Sequence, residues 1–110
     1  GSLRIADQAG RTVNQLQIDA SVDERDVMRH TPAGIPIVNC RLRHLSEQME
    51  AGVMRQVECE IAALAAGDMA TRIEQLGLGE MQRFAGFLAR KSRHSKSLVF
   101  HIIDFSSLPG

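Results

Sequence analysis

Leu16, Ile18, Ala20 and Val22 alternate with Gln15, Gln17, Asp19 and Ser21, the period-two pattern of a strand with one wet face. Residues 27–30 are expected to continue this strand after an interruption at 23–26. Thr31-Pro32-Ala33-Gly34-Ile35-Pro36 then marks a turn, because two prolines and a glycine work against regular pairing. A second strand is predicted over 37–45, with Val38, Cys40 and Leu42 on one face and Asn39, Arg41 and Arg43 on the other. The polar stretch 46–52 reads as a loop. The third strand, 53–64, turns Val57, Cys59 and Ile61 inward and Gln56, Glu58 and Glu60 outward, although 62–66 would also suit a helix.

Residues 67–77 form the one convincing helical segment. Asp68 is placed to cap its start. Met69, Ile73 and Leu76 make an apolar stripe at i, i+4, i+7, and Gly77 offers a C-terminal stop. Gly79 turns the chain into a fourth strand, 82–89, where Gln82, Phe84, Gly86 and Leu88 share a face. A glycine inside a strand serves a sharp bend or a close backbone approach, both of which a small barrel requires. The last strand is 98–105. Three strands, a short helix, then two strands in about a hundred residues fit an all-β fold. The expectation is a five-stranded Greek-key OB-fold barrel with one short helix between strands three and four.

Charge changes this picture by its distribution rather than its sum. Thirteen basic and thirteen acidic residues cancel, and 110 residues make one domain. Yet Asp19, Asp23, Glu24 and Asp26 crowd the first quarter, whereas no acidic residue occurs between Met81 and Ile103. In that interval Arg90-Lys91-Ser92-Arg93-His94-Ser95-Lys96 falls between the last two strands, at the expected tip of a hairpin. Several cations on an exposed finger suit contact with phosphates; the bland alternative is a solvated loop.

Cys40 and Cys59 lie in separate strand-like runs with no CxxC pair, which argues against a disulfide scaffold and for a reducing compartment. No apolar stretch approaches the length of a transmembrane helix and no secretory segment is recognisable, so a soluble cytoplasmic protein is expected. Gly1-Ser2 resembles a cloning remnant, residues 1–11 a leader, 12–106 the folded domain and 107–110 a tail.

Four stretches carry a family resemblance: Arg29–Pro36 (RHTPAGIP), His44–Gly52 (HLSEQMEAG), Met54–Ile61 (MRQVECEI) and Gly86–Lys96 (GFLARKSRHSK). In this order they resemble the primosomal replication protein N (PriB) family, bacterial relatives of single-stranded DNA-binding protein (SSB), over roughly residues 12–105. The resemblance implies an OB-fold homodimer that binds single-stranded DNA and helps restart stalled replication forks. It also implies contacts with the primosomal helicase (PriA) and with a later primosome component. One departure stands out. Some family members carry a base-stacking aromatic at the position of Glu58, where a carboxylate cannot stack and repels phosphate. With no Trp or Tyr and only four Phe, the chain is expected to bind DNA more weakly and more electrostatically than an aromatic-rich relative.

Arg90, Lys91, Arg93 and Lys96 match the family's DNA-contacting hairpin between strands four and five. If about four cations displace counterions from a single strand, log K falls against log salt with a slope of roughly −3, or ~60-fold weaker binding between about 50 and 200 mM. Arg41 and Arg43, with Arg55 as a neighbour, can extend a phosphate track across the barrel or can instead pair with Glu58 and Glu60 across the sheet. Phe87, opposite in face to Phe84 and Leu88, is the candidate stacking platform, with burial as the alternative; Phe84, Phe100 and Phe105 are assigned to packing. Cys40, His44, Cys59, His94 and His101 do not show the spacing of a zinc site, so no metal or cofactor is expected. No Ser/His/Asp setting or phosphate-binding glycine loop points to an enzyme. The two readings are a single-stranded DNA-binding accessory protein and an OB-fold interaction adaptor with weak or vestigial DNA binding.

Overall fold

A computed structural model describes residues 12–108; the expected leader 1–11 and the end of the expected tail lie outside them. The chain order is β1 (Leu16–Arg25), β2 (Arg29–His30), β3 (Pro36–Glu50), β4 (Val53–Ala66), α1 (Asp68–Gln75), β5 (Met81–Arg90) and β6 (Leu98–Ser107). The sheet runs β1-β5-β6-β4-β3-β2, and a further pairing joins β1 to β3. The five long strands thus close into the expected OB barrel, with α1 between β4 and β5 packed against β3, β4 and β6. Closure uses one parallel contact, Ala63 and Leu64 of β4 against Phe100 and His101 of β6.

Alternation along each strand decides what fills the interior. Ala20 and Val22 of β1, Val38, Cys40 and Leu42 of β3, and Ala63 and Ala65 of β4 are buried. Phe84 of β5, Phe100 and Ile102 of β6, and Ala70 and Ile73 of α1 complete this core. Phe84 and Phe100 are fully enclosed, and burial of each such side chain contributes about 1.5–3 kcal/mol. Phe105 packs at the margin, its ring 5.7 Å from that of Phe84 and covered by the Arg72 guanidinium at 4.5 Å. Gly86 answers the requirement for close approach: a Cβ there would stand 1.8 Å from the His101 carbonyl oxygen.

Several local expectations are corrected. β1 does not stop at residue 22 but continues to Arg25 through an irregularity between Val22 and Glu24. Residues 27–30 do not extend it. Arg29 and His30 instead pair with Ile37 and Pro36, so a proline opens β3 across a turn in which Gly34 takes φ 86°.

The largest correction concerns residues 46–52, expected as a loop. They prolong β3 to Glu50, and the chain reverses at Ala51-Gly52 with φ of 53° and 78°. Positive φ at both turn positions matches the right-handed twist of a two-residue hairpin. Pairing then runs without interruption from Glu50↔Val53 back to Ile37↔Ala66. The outer half of this ribbon extends past the barrel, so both its faces meet solvent. Cys59, expected inward, is therefore exposed, and Val57 is only half-buried.

Helix α1 also differs at its ends. Gly67, with φ 70°, occupies the N-cap position; Asp68 lies in the first turn and makes no side-chain cap. The helix stops at Gln75, with Leu76 extended, so Gly77 is not the left-handed stop. The terminal carbonyls are met from elsewhere: Arg25 donates through Nη1 to the carbonyls of Ile73 (3.0 Å) and Leu76. No helix among the described residues is long and apolar enough to cross a membrane.

Candidate nucleic-acid interface

The basic run forms the tip between β5 and β6. Its geometry is local: the Lys91 N–H donates to the Ser97 carbonyl at 2.8 Å and the Ser95 N–H to the Ser92 carbonyl at 3.2 Å. The Ser97 N–H donates to Ser95 Oγ at 3.0 Å. Serines thus supply the turn's hydrogen bonds and leave the longer side chains to solvent. Arg90, Lys91, Arg93, His94 and Lys96 are all exposed. Among the described residues none of them enters an ion pair.

Lys91 overhangs a groove of about 440 Å³ whose floor is the outer surface of β3 and β4, at Asn39, Arg41, Ala62 and Leu64. Val99 of β6 adds to the floor, while Glu24 at the end of β1, Asp26 just after it and Arg29 of β2 form the facing lip. Two contacts pin that lip: the Asp26 N–H donates to the Asn39 carbonyl at 2.9 Å, and Arg29 Nη2 donates to Asn39 Oδ1 at 3.2 Å. Arg29 is a groove cation that strand periodicity could not reveal, since it sits beyond an irregular stretch. The facing walls of an OB barrel at this place are where such folds take oligonucleotides.

The other three arginines are engaged. Arg41 lies 3.8 Å from Glu60, and Arg43 donates to Glu58. That hydrogen bond and the adjoining negative charge raise the Arg43 pKa above its ordinary value. Arg55 bonds Glu50 at 2.6 Å. The register Gln48↔Arg55 against Arg43↔Glu60 sets Arg55 on the opposite ribbon face from Arg41 and Arg43. One continuous track through all three is therefore not formed.

Phe87 keeps the orientation expected, away from Phe84, and is 37% exposed. Its ring already stacks on His101, with centroids 4.7 Å apart and planes within 9°. The pair borders a shallow cavity of about 330 Å³ with Leu64, Met69 and Ile103. Leu64 also lines the main groove, so the two depressions adjoin. The other phenylalanines serve packing as expected: Phe84 and Phe100 are enclosed and Phe105 is half-buried against the core.

Cysteine and histidine do not converge: among the described residues no group of three or more His, Cys, Asp or Glu could hold a metal ion. Cys40 is buried beside the groove floor, and desolvation pushes its thiol up to about 11, which keeps it protonated and unreactive. His44 bridges strands instead, with Nδ1 2.7 Å from the Asp19 carbonyl and Nε2 2.7 Å from Ser46 Oγ.

Comparison with known proteins agrees with this architecture. The family described as another single-strand binding protein family matches residues 14–104. Replication restart protein PriB of Nitrosomonas europaea is 38% identical over 91 residues, covering 83% of this chain and 84% of that one. The PriB of Bordetella pertussis is 41% identical over 98 residues, covering 89% and 92%. The solved structure of PriB from Ralstonia solanacearum superposes with a TM-score of 0.82 at 48% identity, covering 89% of this chain and all of that one. A barrel of this topology, matched along nearly its whole length by these relatives, belongs to the replication restart protein PriB family of single-strand binding proteins.

Proposed function

We propose that this protein binds single-stranded DNA without strong sequence preference, as a non-enzymatic accessory of replication restart in the bacterial cytoplasm. The observation that carries the reading is the hairpin tip: Arg90, Lys91, Arg93 and Lys96 are exposed and without ion-pair partners among the described residues, and Lys91 lines the groove over β3 and β4. Their charge attracts the phosphate chain, Arg29 and Arg41 continue that attraction into the groove, and Phe87 offers an aromatic edge nearby. Because Arg43 is held by Glu58 and Arg55 by Glu50, these two contribute less unless the strand displaces their partners. Residues 12–106 form the DNA-binding unit, two copies of which act as a homodimer and present DNA to the primosomal helicase (PriA) and a later primosome component.

The test is a titration of fluorescent oligodeoxynucleotide at several salt concentrations. Affinity should fall steeply, with a log–log slope of roughly −3 per subunit engaged. A nearly flat dependence would remove the electrostatic mechanism.

A second reading is favoured by the engaged arginines and the acidic lip: an interaction adaptor whose basic hairpin docks on an acidic surface of a partner. Affinity for oligonucleotide measured beside affinity for the primosomal helicase separates the two, since an adaptor binds the helicase far more tightly than DNA.

A further inference from the structure

We infer that Glu24 and Asp26 are affinity-setting residues, which face the phosphate chain across the groove and hold single-stranded DNA binding below what the cations alone would give. The inference deepens the reading above and rests on it. Both carboxylates line the same groove as Arg29, Arg41 and Lys91. Both are exposed, and neither lies within ion-pair distance of a cation among the described residues. Glu24 stands across from Arg41 in the β1–β3 pairing without closing a salt bridge to it, so the groove's own cations offset these two charges only in part.

The reason lies in the chain between them. Arg25, the one cation of this segment, points the other way and spends its guanidinium on the C-terminal carbonyls of α1. Alternation along the end of β1 thus sends the positive side chain to the helix and leaves negative ones at the groove. The lip cannot easily swing clear, because the Asp26 N–H and the Arg29 side chain both bind Asn39 on the floor. Arg41, the cross-strand neighbour of Glu24, is already shared with Glu60. A phosphate chain entering from Lys91 meets attraction on the hairpin side, and on the lip side it meets the two carboxylates beside Arg29.

A carboxylate about 7 Å from a phosphate in a half-hydrated groove weakens binding by a factor of about three to five, so two give about tenfold. Screening shortens that reach from about 10 Å at 0.1 M salt to about 3 Å at 1 M. Removing the two charges should accordingly tighten binding most at low salt.

The experiment compares wild type with the isosteric double variant Glu24→Gln/Asp26→Asn, and with Lys91→Ala/Arg93→Ala as a control for the hairpin. Oligodeoxythymidylate affinity is measured across salt, with a thermal melt of each protein. The lip variant should bind about tenfold more tightly at low salt, the advantage should shrink as salt rises, and its melt should match wild type. Equal or weaker binding by a lip variant with an unchanged melt overturns this inference. If the hairpin control still loses affinity in that case, the DNA-binding reading survives; if it does not, both fall together. Should the double variant melt early, the single Glu24→Gln variant decides, with a gain of about threefold expected and no gain overturning the assignment.

Discussion

Arg43 on β3 and Glu58 on β4 are joined side chain to side chain across the exposed ribbon, on a diagonal two positions off the direct register Arg43↔Glu60. The pair lies on the same outer surface as Arg41 and Glu60, which leads to the groove floor. Each side chain thereby occupies the other: Arg43 is less free to meet an anion, and Glu58 keeps a carboxylate on this surface. Glu58→Gln removes the negative charge and frees Arg43, and should raise affinity for single-stranded DNA about threefold at low salt. Glu58→Phe adds a stacking face worth about 1–3 kcal/mol per base and should exceed the Gln variant by about fivefold or more. Equal affinities for the two variants, read by fluorescence anisotropy, would show that no base reaches this surface.

Charge reversal at the hairpin tip separates binding from folding. Lys91 and Arg93 are exposed and take no part in the core. Lys91→Glu/Arg93→Glu should weaken oligonucleotide binding by about one to two decades at low salt and shift the thermal melt by no more than about 2 °C. A collapsed melt would instead give the tip a structural role.

Gly86 leaves no room for a side chain. Its missing Cβ would stand 1.8 Å from the His101 carbonyl oxygen and 3.1 Å from the Phe100 ring. Gly86→Ala must push β5 and β6 apart, and the loss of stability should reach about 3 kcal/mol, measured by urea unfolding.

Arg25 closes the end of α1 from outside the helix. Arg25→Met keeps much of the aliphatic stem but removes the donors to the Ile73 and Leu76 carbonyls. The cost should be about 1–3 kcal/mol in urea unfolding, since charged donors to partly buried carbonyls are lost.

Acid sensitivity follows from Asp19. Arg83 donates to both carboxylate oxygens, at 2.7 and 3.0 Å, and this hydrogen bonding lowers the Asp19 pKa below 3.8. The folded state therefore holds its proton more weakly than the unfolded chain. The stabilisation is complete above the unfolded value near 4 and disappears as pH falls through the lower folded value. Thermal melts of wild type should drop between about pH 5 and pH 2 more than those of Asp19→Asn. Parallel curves for the two proteins would leave Arg83 without a role in acid stability.

The barrel was legible wherever one strand face packs and the other is wet. Ala20 and Val22, Val38 to Leu42, and Phe84 with Phe100 declare their faces by alternation, and the structure buries those residues. Residues 46–50 escaped because the ribbon is wet on both faces, so its sequence carries no apolar phase to read, whereas 53–59 is the strand expected. Cys59 was misread for the same reason: parity was sound, but no core lies beneath it. The basic tip was readable because its charges are contiguous in sequence. The groove was not, because Glu24, Asn39, Leu64 and Lys91 meet only through closure of the sheet. Nor could periodicity reveal the Phe87–His101 stack, which depends on the register that sets these two opposite each other.

The parallel contact between β4 and β6 amounts to Ala63↔Phe100 and Leu64↔His101, a narrow seam beside the long antiparallel ladders on either side. Leu64 and Val99, from the two strands that meet there, both floor the groove. A ligand lying in that groove straddles the join and grips both margins at once, so occupancy acts as a clasp on the barrel. Amide protons of Leu64 and His101 are then the ones whose exchange slows most when the groove is filled, which makes them reporters of its occupancy.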